Sequence, residues 1–101
     1  MEKTAKDRLS DQQIHELLRS MAGWSHNSAP ACIERTFVRK NFLDAVAFIQ
    51  QIAPIAEKQD HHPDILLSDY KKVKVMLSTH SAGGITQNDF DLARAIDQLP
   101  A

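Results

Sequence analysis

The stretch "EKQDHHPDILLSDY", Glu57 to Tyr70, sets His61 and His62 side by side, with acids at Glu57 and Asp60 before them and Pro63 after. A third histidine, His80, follows in "LSTHSAGG". Imidazole titrates at about pH 6.5, so these groups can give and take protons in neutral water with little tuning. Carboxylates such as Glu57 and Asp60 can orient a ring or hold it protonated. Pro63 restricts His62 to extended backbone, and if His61 is extended too, the two rings project to opposite sides. They would then do different jobs rather than chelate one ion. Zinc is the rival chemistry. It is disfavoured by that geometry and by flanks that lack short-spaced Cys/His ligand pairs. His15 and His26 stand apart and are read as ordinary surface residues.

The elements that must position these rings follow from periodicity. Ser10 and Gln13 form a capping box ahead of Ile14, Leu17, Leu18 and Met21, which recur at helical spacing, and Gly23 is expected to end that helix. Trp24 opens a short extended piece, "HNSAP" supplies turn chemistry, and "CIERTFVR" alternates as a strand paired with the Trp24 segment. Asn41 caps a long apolar-striped helix from Phe42 to Ala56, in which Pro54 predicts a bend or an early end. "DILLSDY" and "KVKVMLSTH" are two strands joined tightly near Ser68 to Lys72. Val73, Val75, Leu77 and Thr79 share one face of the second. Its far end returns to the start of the first, which carries His80 towards His61 and His62. Thr86 and Asp89 form the capping box of a last helix, with Phe90, Leu92, Ala93, Ile96 and Leu99 on its apolar side. The expected fold is α+β, in the order α-β-β-α-β-β-α, with three helices packed on one face of a four-stranded antiparallel sheet. Residues 1–9 are expected to be a flexible lead-in and 10–101 a single domain.

Composition narrows the function. The chain has 101 residues and a net charge of −1, from 12 basic and 13 acidic side chains. That leaves no cationic excess for a nucleic-acid or membrane-surface partner, and aromatic residues are too few for base-stacking platforms. The lone Cys32 permits no internal disulfide and suits a reducing, cytoplasmic setting, where it serves as a small buried hydrophobe. The polar start of the sequence has no apolar signal core, and no apolar run reaches membrane-spanning length. Lys71, Lys72 and Lys74 read as a solvated strand, Gly83 and Gly84 as turn residues, and Trp24 as core.

The run "EKQDHHPDILLSDYKKVKVMLSTHSAGGITQNDFDLARAID" resembles the pterin-4a-carbinolamine dehydratases, in its acid-x-x-Asp-His-His-Pro, Thr79-His80 and Gly84-Ile85-Thr86 followed by Asp89. "IERTFVRKNFLDAVAFIQQIA" is similar to the family's second strand and central helix. The resemblance implies dehydration of a 4a-hydroxytetrahydropterin to quinonoid dihydropterin, recycling the pterin of an aromatic amino-acid hydroxylase. It makes His61 and His80 the acid/base pair. His62, Glu57, Asp60, Ser78, Thr79 and Asp89 become pterin-binding or supporting residues, although capping alone would equally explain Asp89. It implies no metal and no cofactor beyond the pterin substrate, and a homodimer or homotetramer built by joining sheet edges. The alternative it leaves is a non-catalytic dimerisation, transcriptional coactivator or pterin-binding module. The sequence departs from the family at Asn88, where some members carry arginine, and at Ile65, where some carry an aromatic residue.

Overall fold

The computed structural model describes residues 7–100. In chain order they form α1 (Asp11–Leu18), β1 (Ser25–Ser28), β2 (Ala31–Val38), α2 (Phe42–Gln59), β3 (Asp64–Ser68), β4 (Lys72–Leu77), a 3-10 turn over His80–Ala82, and α3 (Gln87–Asp97). All strand pairings are antiparallel, in the spatial order β1-β2-β4-β3. This is the expected α+β arrangement in the expected order.

Strand alternation decides which face is buried. The register sets Ile33 opposite Leu77, Arg35 opposite Val75 and Phe37 opposite Val73, while Ile65 and Leu67 of β3 face Val75 and Val73. Ile33, Val73, Val75 and Leu77 are fully buried, under Ile14 of α1, Phe48 and Ile52 of α2 and Phe90, Leu92 and Ile96 of α3. Each such side chain contributes about 1.5–3 kcal/mol by leaving water. The opposite face is polar along its middle, where Lys74 pairs with Glu34 at 3.1 Å. Cys32 also lies on that face and is buried. Burial, and next the charge of Glu34, push its thiol above the ordinary value, so it stays protonated at neutral pH.

The element ends show where sequence spacing reached too far. The Ser10–Gln13 capping box is present, but α1 stops at Leu18 rather than at Gly23. The Ser20 hydroxyl donates to the Leu17 carbonyl and the chain turns through Met21, whose N–H donates to Leu18. A serine side chain that bonds the helix carbonyls in this way competes with the next helical turn. Met21 still reaches the core, and Gly23 takes the left-handed conformation (φ 91°) that returns the chain to Trp24. Most of "HNSAP" belongs to β1, and the turn itself is Ala29–Pro30. Trp24 is core, with its indole N–H donating to both oxygens of Asp97 at 2.9 and 3.0 Å.

In α2 the Asn41 side chain caps Asp44 N–H as expected, but Pro54 does not end the helix, which runs on to Gln59. Pro54 and Gln50 both lie on the exposed side. Water can therefore serve the carbonyl that proline leaves unbonded, while Ile52 and Ala56 hold the helix to the core. Asp60 ends it in the left-handed conformation (φ 52°), which aspartate tolerates better than most residues. The β3–β4 connection is tight because Asp69 and Tyr70 both take positive φ, 48° and 51°. Of the expected lead-in, residues 1–6 lie outside the described residues, while Leu9 packs against the core and its N–H donates to Ile85 at 2.8 Å. No helix among the described residues is long and apolar enough to cross a membrane.

Asp44 ties the start of α2 to the end of β2. It accepts the Lys40 N–H at 2.9 Å and both Arg39 nitrogens at 3.2 and 3.4 Å, and Arg39 lies over the Phe48 ring. The Lys40 N–H first, and then Arg39, hold its carboxyl below the usual carboxylate range. A depressed carboxylate stabilises the fold above its unfolded pKa, and that contribution fades as pH falls through its folded one. Asp44→Asn is therefore expected to lower the urea midpoint at pH 7, with the gap to the parent protein closing below about pH 4.

Candidate active site

The left-handed cap at Asp60 turns the chain sharply out of α2, and His61 follows with its N–H on the Ala56 carbonyl at 3.1 Å. The two histidines then part, as alternation requires. His61 is 2 % exposed, whereas the His62 side chain is 55 % exposed.

His61 Nε2 lies 2.6 Å from Asp89 Oδ1, and both side chains are buried. Asp89 stands in the first turn of α3, where its Oδ2 accepts the Thr86 N–H at 2.9 Å and the Thr79 hydroxyl at 3.0 Å. The Thr79 and Thr86 hydroxyls are 2.9 Å apart, and Thr86 Oγ1 accepts the Asn88 N–H at 3.2 Å. These contacts fix the hydrogen-bond directions. The Thr79 proton is spent on Asp89, so Thr79 accepts from Thr86. A carboxylate only accepts, and the positive end of α3 lies beside this one. His61 Nε2 is then the donor. Asp89 is thus both the helix cap and the partner of His61, one oxygen serving each task fully and the cap oxygen also holding Thr79.

His62 Nε2 meets Glu57 Oε1 at 2.6 Å, at the surface. With both groups exposed, the contact orients the ring more than it stabilises the fold. The pair rims a cavity of about 210 Å³ between α2 and the edge strand β3, floored by Ile49, Ile52, Pro63 and Ile65.

His80 heads the 3-10 turn and is exposed. The turn closes on Gly83 (φ 70°), and a two-way backbone bridge ties Thr79 to Gly84 at 2.8 and 3.3 Å. Ser78, half-buried, follows the end of β4. Continuing the β3–β4 register past Asp64 sets His61 level with Thr79. The residue before His80 therefore lies level with His61, and Thr79 is linked to that ring through Asp89. The sequence-predicted residues thus fall into a buried group (His61, Thr79, Asp89), an exposed pair (His62, Glu57), and His80 on its turn; Asp60 is the helix cap between the first two. Thr86 was expected only as a cap. Its second bond, to Thr79, was signalled by the inward parity of Thr79 beside a Thr-x-x-Asp box. Among the described residues no three His, Cys, Asp or Glu side chains gather as metal ligands would.

Residues 7–99 match the family model described as "Pterin 4 alpha carbinolamine dehydratase". The chain belongs to that family. A Rhodopseudomonas palustris protein provisionally named a pterin-4-alpha-carbinolamine dehydratase is 48 % identical over 94 residues, which are 93 % of this chain and 92 % of the relative. A Sulfurisphaera tokodaii protein of the same provisional name is 45 % identical over 91 % of this chain and 96 % of its own. A crystal structure of a Brucella melitensis transcriptional coactivator/pterin dehydratase superposes with a TM-score of 0.83 at 38 % identity, covering 90 % of this chain and 96 % of that one. A pterin dehydratase-like RuBisCO assembly factor of the alpha-carboxysome shares the fold at 18 % identity, with a TM-score of 0.63 over 76 % of this chain and 88 % of that one.

Within this family member the two histidine contacts should separate cleanly in stability. Asp89→Ala strands three buried donors and is expected to cost about 3 kcal/mol or more, whereas Glu57→Ala, at an exposed pair, is expected to cost no more than about 1 kcal/mol. Urea unfolding of the two variants measures both.

Proposed function

We propose that this protein dehydrates a 4a-hydroxytetrahydropterin to quinonoid dihydropterin by imidazole acid/base catalysis, with His61 and His80 as the proton-transfer pair. The reaction breaks the C4a–O bond. The N5 lone pair forms the new double bond, an acid protonates the departing hydroxyl so that it leaves as water, and a base takes the N5 proton. Electrons and atoms balance within substrate, product and water.

The observation that carries this reading is the contact between His61 Nε2 and Asp89 at 2.6 Å. A ring whose Nε2 is held by a carboxylate is fixed in orientation, which suits it to take the N5 proton. His80, exposed on its turn, can exchange with solvent and supplies the proton for the leaving hydroxyl. His61 is 2 % exposed in this conformation, so pterin binding has to move what covers that ring. His62, held by Glu57 at the mouth of the apolar cavity, binds and positions the ligand, with Asp60 and the backbone of Ser78 to His80 completing its polar surround. The substrate is the pterin that an aromatic amino-acid hydroxylase releases, and the chain works as a homodimer or homotetramer in the cytoplasm. The edge strand β3, with Leu66 51 % exposed on it, supports pairing of sheet edges between copies.

A second reading, a coactivator or other binding module, draws on the dual name of the Brucella melitensis neighbour. It is favoured by the exposed apolar residues Val38, Phe42 and Leu43 at the β2–α2 junction.

The test is a stopped-flow assay of 4a-hydroxytetrahydropterin decay. The parent protein is expected to accelerate it, and His61→Ala and His80→Ala are each expected to lower kcat by about 100-fold, with His62→Ala acting mainly on KM. Decay no faster than in buffer would remove the enzyme reading and leave the binding module.

A further inference from the structure

Thr79 is 1 % exposed and its hydroxyl is already committed on both sides, donating to Asp89 and accepting from Thr86. A side chain so enclosed is poorly placed to bind a ligand. From the geometry we infer instead that Thr79 is a positioning residue that couples the two acid/base histidines of the proposed reaction. The inference rests on that reading of the site, but its central claim concerns the ring of His61 and can be measured without substrate.

Two independent connections meet at this residue. Through its hydroxyl, Thr79 holds Asp89 Oδ2, which leaves Oδ1 directed at His61 Nε2. Through its peptide, it is bridged to Gly84 in both directions, and this closes the loop whose first residue is His80. The side chain therefore sets the orientation of one ring and the backbone sets the origin of the other. The loop itself is packed from outside: a Cβ at Gly84 would come within 2.6 Å of Arg8 Cδ, and Leu9 N–H fastens the same segment to Ile85.

The hydroxyl chain also has a fixed sense. Asn88 N–H donates to Thr86, Thr86 to Thr79, and Thr79 to Asp89. Each donor withdraws charge from the next acceptor, and the last of them steadies the carboxylate that fixes the His61 tautomer. Valine at position 79 keeps the shape and the strand preference but ends the chain one bond short. Asp89 Oδ2 is then left to the Thr86 N–H alone, the carboxylate can turn about its Cβ–Cγ bond, and His61 can exchange Nε2–H for Nδ1–H. Serine keeps the hydroxyl and should preserve the arrangement.

Long-range ¹H–¹⁵N correlation of the His61 ring, with parent protein, Thr79→Val and Thr79→Ser compared at one pH, tests this directly. The parent and Thr79→Ser are expected to show the Nε2–H tautomer, and Thr79→Val a mixture. In the dehydration assay Thr79→Val is expected to lose about tenfold or more in kcat, with KM within about twofold, and Thr79→Ser to recover most of it. An unchanged His61 tautomer in Thr79→Val would overturn the inference, as would a loss confined to KM or equal losses in the serine and valine variants. Should Thr79→Val not fold, Thr86→Val interrupts the same chain one bond earlier, with Thr86→Ser as the control that keeps the hydroxyl, and both take the same readouts. If the parent protein has no dehydratase activity, the proposed function fails while the tautomer comparison still decides what Thr79 does.

Discussion

The carboxylate of Asp89 is the point on which the rest of the site depends. One buried anion takes four tasks: it caps α3, anchors the end of β4 through Thr79, orients His61, and neutralises part of the positive end of the helix. A buried charge is costly unless every lone pair finds a donor. Here a backbone N–H, a hydroxyl and an imidazole N–H supply them, each from a different segment. The carboxylate can be satisfied only when the start of α3, the end of β4 and the residue after α2 are all in place. Fold and site are in that sense one constraint.

The same economy explains why the two adjacent histidines differ so much. The Asp60 cap and Pro63 force extended backbone between them, and alternation then sends one ring inward and the other outward. The inner ring gains a fixed partner and loses solvent. The outer ring keeps solvent and a flexible carboxylate neighbour in Glu57. In the proposed reaction the inner ring supplies a fixed orientation, His80 supplies access to solvent, and His62 holds the ligand.

The structure also separates what supports the site from what merely surrounds it. The polar knot of Trp24, Arg35 and Asp97 at the far end of α3 mirrors the Asp89 knot at its start: a carboxylate accepts from an indole at 2.9 Å and from a guanidinium at 2.9 Å. It fastens the β1–β2 hairpin to the helix by the same physics, but with both partners in fixed charge states, so it offers no proton to exchange. The two carboxylates differ in their partners: Asp97 meets an indole and a guanidinium, and Asp89 meets an imidazole.

Sequence alone determined the faces and the order of the elements. The period-two runs through Ile33 and Val73, the 3.6-period stripe from Phe42 to Ala56 and the two capping boxes are local physics, and they specify an antiparallel sheet covered on one side. The parting of His61 and His62 was legible for the same reason, since Pro63 acts on its immediate neighbour. What the tertiary structure decided was everything that depends on burial at a distance. Pro54 is tolerated because its side of α2 meets water, and Met21 and Trp24 reach the core although α1 has already ended at Leu18. Asp89, which spacing could explain as a cap, becomes the partner of His61 only when β4 and α3 are brought against the end of α2. Periodicity records which way a side chain points, but not what stands opposite it once the layers close.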